Sequence, residues 1–111
     1  MLKRSYRLRK DRDFQKLYKS GQRHSSPNFT LYYLASKLEY SRVGFVVSKK
    51  VSKSAVVRNK LRRRTTAVLE SVYSDLVQSF DMIILIRRDF NNLSPQDLQA
   101  ELRALLKKVI K

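Results

Sequence analysis

Residues 48–64 read SKKVSKSAVVRNKLRRR. Eight of these seventeen residues are Lys or Arg and none is acidic, yet Val51, Val56, Val57 and Leu61 run through the stretch. A solvated basic tail has no use for such residues. Set on a helix at about 100° per residue, Val57, Leu61, Thr65, Val68, Leu69 and Val72 share one arc of roughly 120°. Arg58 and Arg64 flank that arc, and Asn59, Lys60, Arg62, Arg63 and Thr66 occupy the remainder. The stretch therefore opens an amphipathic helix over about 56–73, and its cations sit on the solvent side of a folded element.

Upstream of this helix, RVGFVVS (42–48) reads as a strand, and so does FTLYYLAS (29–36). The latter carries Phe29, Leu31 and Tyr33 on one side and Thr30, Tyr32 and Leu34 on the other. The two strands are expected to pair as an antiparallel hairpin, with both faces covered at least in part. SSPN (25–28) forms a turn, and His24 falls in the polar turn that follows a first helix. Asp11 or Asp13 caps that helix, which ends near Ser20-Gly21 with Gly in the C′ position. Its Phe14, Leu17 and Tyr18 lie on one face, and the basic residues 1–10 before it read as an extended arm.

Downstream, DMIILIR (81–87) is a nearly continuous apolar run, as expected of a strand buried on both sides. Ser94-Pro95-Gln96-Asp97 starts a helix, with Ser at the N-cap, Pro at N1 and an acid at N3. Leu98, Leu102, Leu105, Leu106, Val109 and Ile110 continue it as a core-facing stripe. The order is helix, two or three strands, helix, strand, helix (α-β-β-(β)-α-β-α). The simplest architecture is a single α/β sandwich, an α+β two-layer arrangement, with residues 1–111 as one domain.

The chain carries 25 basic and 9 acidic side chains, a formal net charge of +16. Such an excess repels itself in the compact state and calls for a polyanionic partner, nucleic acid before an anionic membrane surface. With 42% hydrophobic residues the chain has too much apolar content for a disordered polycation. It has no cysteine, which excludes disulfides and thiolate metal sites and agrees with a cytoplasmic setting. No apolar stretch approaches the roughly 20 residues of a membrane span, and no secretory h-region follows the N-terminus.

The charge pattern is more specific than its sum. Nine bases and no acid lie between Glu39 and Glu70. Arg58/Arg62 and Lys60/Arg64 are like-charged i, i+4 pairs, which a free helix face avoids and bound phosphates relieve. Lys49, Lys50, Lys53, Arg58, Lys60, Arg62 and Arg63 are thus candidate phosphate contacts. The amide of Asn59 suits a 2′-hydroxyl, a base edge or a metal-bound water. Phe14, Tyr18 and Tyr32, flanked by Lys16, Lys19, Lys49 and Lys50, fit either a hydrophobic core or a stacking surface for single-stranded nucleic acid.

Catalytic chemistry is not evident. His24 is the only histidine and has no acid–base partner in the pattern, the carboxylates are dispersed without metal-ligand spacing, and no Gly-rich phosphate loop occurs. A stand-alone nuclease is disfavoured on that ground. Double-stranded DNA binding lacks a recognition-helix pattern.

RxRxxxDFQKLYKSG at the first helix, the FTLYYL strand, RVGFVVSKKV and above all AVVRNKLRRR together resemble the protein subunit of bacterial ribonuclease P, in order over essentially the whole chain. The signature Arg-Asn-Arg of that family reads Arg58-Asn59-Lys60 here, and Lys keeps the charge but loses the bidentate fork. A further basic position expected one turn beyond the RRR run is Thr66. The resemblance implies a mixed central sheet of about four strands with three helices. It implies an endoribonuclease that removes the 5′ leader of precursor tRNA, with the active site and its Mg²⁺ ions on a catalytic RNA subunit. Arg58, Asn59, Lys60, Arg62 and Arg63, with Lys49, Lys50 and Lys53, would contact the catalytic RNA. Phe14, Tyr18 and Tyr32 would line a leader cleft, with Lys50 and Arg62 near its phosphates. No protein oligomer and no membrane would be required. The competing expectation is a ribosomal protein or RNA chaperone, which needs the basic helix but no stacking cleft.

Overall fold

The computed structural model describes residues 7–72, 79–90 and 92–109. In chain order the elements are α1 (Asp11–Ser20), β1 (Gln22–Ser25), β2 (Phe29–Ala35), β3 (Arg42–Val47), α2 (Ala55–Val72), β4 (Phe80–Ile86) and α3 (Pro95–Val109). The strands form one sheet in the order β1-β2-β4-β3. β1 and β4 both run antiparallel to β2, whereas β3 runs parallel to β4.

The expected hairpin of 29–36 with 42–48 is therefore corrected: β2 and β3 do not pair, and β4 is inserted between them. The reason lies in hydrophobicity. β4 is the most apolar segment of the chain, and only a central position buries both of its faces. Met82, Ile83 and Ile84 are each fully inaccessible to solvent. A second correction concerns His24, which lies in β1 and not in a turn. Its ring stacks on Tyr33 with centroids 5.5 Å apart, and its Nε2 is 2.9 Å from the Tyr33 hydroxyl, which in turn donates to Gln22 Oε1. That histidine is a structural partner of a buried tyrosine.

Register assigns the sheet faces. Tyr33, Met82 and Val43 share one row, and Tyr32, Ile83 and Gly44 share the neighbouring row on the opposite face. α2 and α3 pack together on the Met82 face, where Leu61, Leu69, Leu98 and Leu102 meet the sheet in the main core. α1 crosses the other face, and Leu17, Leu8 and Ile83 form a smaller core beneath it. Each fully buried Leu or Ile contributes about 1.5–3 kcal/mol by leaving water.

The local signals act mostly as the sequence implied. Ser94 Oγ accepts from the Asp97 amide at 3.1 Å, capping α3. Ser54 Oγ does the same for Val57 at 3.3 Å, so α2 begins at Ala55, one residue earlier than expected. The expected caps on α1 are different. Its N-cap is Lys10, with no side-chain cap, and Asp11 and Asp13 lie inside the first turn, where they favour the helix dipole. Gly21 has φ −73°, so it needs no left-handed freedom, but a Cβ there would stand 2.5 Å from the Leu17 carbonyl oxygen. Of the arm, residues 7–10 are described: Leu8 is buried, and its amide donates to the Val43 carbonyl at 2.9 Å, adding a backbone contact outside β3. Residues 1–6, position 73 of the expected second helix and Ile110 of the α3 stripe lie outside the described residues.

The 25–28 turn is held from a distance. Glu101 on α3 accepts from the Asn28 amide (2.9 Å), the Asn28 side chain (2.8 Å) and the Ser26 hydroxyl. Glu101→Ala strands three donors around one site and is expected to cost about 2–3 kcal/mol. The measurement is a lower urea midpoint at an unchanged slope. An unchanged midpoint would mean that water replaces the carboxylate without loss.

Candidate RNA interface

The basic surface starts in the connection between β3 and α2. Ser48 accepts from the Val51 amide, and Val51 packs on the main core, so the intervening Lys49 and Lys50 are turned to solvent. Lys53 is exposed as well. Arg58 reaches back and donates to the Ser52 carbonyl at 2.9 Å, which fixes the connection against the first turn of α2. Asn59, Lys60, Arg62 and Arg63 are exposed, and Arg62 donates to Asn59 Oδ1 at 3.3 Å. The apolar arc of α2 faces inward as its periodicity requires, with Leu61, Thr65, Leu69 and Val72 wholly buried. Packing of that arc is what aims the cations outward.

The two flanks of the arc differ. Arg64 lies over the Phe90 ring, 5.5 Å from its centroid, and donates to the Phe90 and Leu93 carbonyls. It ties α2 to the loop before α3, a structural role that the sequence did not disclose. On the other flank Arg62 points along the outer edge of β3 and takes part in no such lock.

The aromatic trio meets on the α1 face of the sheet. Tyr18 and Tyr32 touch edge to face, with ring centroids 4.9 Å apart and planes at 81°. Tyr18 is 44% exposed and Tyr32 is half-buried, so the pair is not sealed in a core. Burial against the sheet, then the neighbouring Tyr32 hydroxyl, push the Tyr18 phenol above its ordinary range, and the ring stays neutral at physiological pH. Phe14, one turn earlier, rests on Gly44: a Cβ built there would stand 2.5 Å from the tip of the Phe14 ring. Gly44 is thus the point that lets α1 approach the sheet. Beyond Tyr32 in the same row stands Arg23 of β1. At the start of α1, Arg42 makes a two-pronged pair with Asp81 (2.9 and 2.8 Å) and lies 3.6 Å from Asp13. The hydrogen bonds that Arg42 donates to Asp81 raise its pKa above the usual value.

Lys50 and Arg62 are the cations expected near the leader phosphates. Lys50 belongs to the exposed turn after β3, and Arg62 to the β3 edge on the α2 side. Among the described residues no group of three or more His, Cys, Asp or Glu side chains converges on a metal-sized site, and no helix is long and apolar enough to cross a membrane.

A mixed four-stranded sheet with one strongly cationic helix and an open aromatic pair defines a small basic α+β protein built to meet RNA. The family model described as Ribonuclease P matches residues 2–110. The ribonuclease P protein component of Streptococcus agalactiae (strain NEM316) is 36% identical over 106 residues, covering 96% of this chain and 95% of the relative. Among solved structures, the RNase P protein from Thermotoga maritima superposes with a TM-score of 0.83 at 28% identity, covering 92% of this chain and 96% of that one. The Staphylococcus aureus RNase P protein gives a TM-score of 0.80 at 30% identity, with 94% of both chains covered. The chain belongs to the ribonuclease P protein family, the protein component of the endoribonuclease that processes tRNA.

Proposed function

We propose that this subunit holds the catalytic RNA through α2 and the preceding connection, and holds the single-stranded 5′ leader of precursor tRNA in the cleft beside α1. Lys49, Lys50, Lys53, Arg58, Lys60, Arg62 and Arg63 neutralise phosphates of the catalytic RNA and Asn59 adds a polar contact, with the hydrogen bonds of Arg58 and Arg62 ordering that surface. Leader bases stack on Tyr18 and Tyr32. Phe14 backs that wall. The protein contributes positioning and charge neutralisation, which lower the cost of bringing scissile bond and active site together.

Magnesium ions supply the hydrolytic chemistry when bound, on the RNA and substrate. The protein's own carboxylates fit such an ion poorly: Asp13 and Asp81 both face Arg42, a cation occupying the position a metal would need. One copy of the chain, working in the cytoplasm where precursor tRNA is made, suffices for this role.

The observation that carries the leader reading is the half-open Tyr18–Tyr32 pair. Stacking one base on such a ring is worth about 1–3 kcal/mol. Tyr18→Ala should weaken holoenzyme binding of leader-bearing precursor tRNA by that amount, roughly 5- to 150-fold, and leave mature tRNA nearly unaffected. Because Tyr18 is 44% exposed, stability should fall by much less than the ~3–5 kcal/mol of a core aromatic truncation. Equal losses for both tRNAs would refute the stacking role.

A further inference from the structure

The Arg62 flank of α2 does not close on a neighbour as the Arg64 flank does. Between it and the arm lies a groove of about 210 Å³. Val43 and Phe45 of β3 give it an apolar floor, Leu8 and Gly44 line it between them, and Arg7, Arg9, Arg62 and Thr66 stand around it. The arm is held in place by its backbone: Arg7 bridges in parallel to Val43, and the Leu8 amide donates to the Val43 carbonyl. Leu8 turns into the small core under α1, so by strand alternation Arg7 and Arg9 turn towards α2. The groove is therefore separated by β3 from the Tyr18–Tyr32 cleft.

Its chemistry is specific. Leu8 and Val43 are 4% and 1% exposed, so the floor is fixed, whereas all three arginines are exposed. Among the described residues no carboxylate pairs with Arg7, Arg9 or Arg62. Thr66 occupies the position where the family resemblance puts a base. Its hydroxyl is bonded back to the Arg62 carbonyl at 2.8 Å, and the short side chain leaves the groove open. The arm thus supplies from across the groove the cations that position 66 lacks. An apolar floor ringed by guanidiniums matches a nucleotide, with base on floor and phosphates on arginine forks.

We propose that this groove binds one unpaired ribonucleotide, its base against Phe45 and its flanking phosphates on Arg7, Arg9 and Arg62. The proposal rests on the reading of the chain as an RNA-binding subunit and adds a second nucleotide site to the leader cleft. Either the catalytic RNA or the leader of precursor tRNA can present such a nucleotide.

The chain has no tryptophan, so Phe45→Trp places a single tryptophan, excited apart from the tyrosines, in the groove floor. A bacterial ribonuclease P RNA is titrated in first, then precursor tRNA with a long or a short leader is added to the assembled holoenzyme. Quenching at the first addition assigns the nucleotide to the catalytic RNA. Quenching only with the long leader assigns it to the substrate. Thr66→Leu fills the groove without changing any charge and should weaken binding of that same RNA roughly tenfold, as should Arg7→Ala with Arg9→Ala. Tight RNA binding with no quenching, together with unaltered affinity in Thr66→Leu, would overturn the site. A loss confined to the arginine variant would overturn it too, leaving diffuse charge alone. Failure of the unmodified chain to bind either RNA would instead strike the functional reading.

Discussion

Raising monovalent salt from about 50 to 200 mM is expected to weaken binding of the catalytic RNA by two to three orders of magnitude. The estimate follows from neutralising ~5 phosphates, each contributing a slope of about 0.7–0.9 in log affinity against log salt. The surface that would do this is built without opposing charge, since no acid lies between Glu39 and Glu70. Lys49, Lys50, Lys53, Lys60, Arg62 and Arg63 are all exposed on it. Affinities measured across that range give the slope directly. A nearly flat line would show that the interface reads shape or apolar contacts, and the electrostatic dock would have to be abandoned.

Replacing Arg58 and Arg62 together by Ala should cost about 2–5 kcal/mol of catalytic-RNA affinity, at about 1–3 kcal/mol for each charge-assisted contact. The fold should survive with a small loss, because Arg58 gives up one hydrogen bond to the Ser52 carbonyl and Arg62 gives up only its weak contact to Asn59. Arg64→Ala is the informative contrast. It removes two bonds to the Phe90 and Leu93 carbonyls and the stacking on Phe90, and should cost about 2–3 kcal/mol of stability while sparing RNA affinity. Three cations on one helix would then separate into two functions. If Arg64→Ala weakened RNA binding as much as the double variant, the division drawn from the two flanks would be wrong.

The parts of this molecule that could be read from sequence are those with long local periodicity. The arc from Val57 to Val72 repeats over several turns, and its buried members are the residues predicted. The apolar run 81–87 announced a strand covered on both faces. Its neighbours were not legible, because adjacency in sequence favours a hairpin of β2 with β3 and no local signal says that a later strand will enter between them. β1 was missed for a different reason: QRHS is short and polar on both sides, an edge strand whose pairing partner supplies all its order.

The candidate site divides in the same way. Which residues of α2 face outward followed from its core arc. Whether Phe14, Tyr18 and Tyr32 were core or cleft did not, since exposure depends on how closely α1 approaches the sheet, and that is set by the missing side chain of Gly44. The roles of Arg64 and Glu101 rest on partners more than 25 positions away, Phe90 and Leu93 for one and Asn28 for the other. Only the assembled fold brings those groups together. The arginines of the arm were visible as charge, but their facing Thr66 across a groove was not.

The strand order also governs when the protein becomes itself. β4 is the last strand to leave the ribosome and the one to which both β2 and β3 are bonded. Until residues 80–86 are available, β3 has no strand partner in the sheet and the apolar arc of α2 has no complete core to cover it. Folding therefore waits on contacts between segments far apart in the chain, which slows it. During that interval a strongly cationic, partly apolar nascent chain is exposed beside ribosomal RNA. Translation arrested before β4 should yield an insoluble or RNA-trapped fragment, and arrest after α3 has emerged should yield a folded protein.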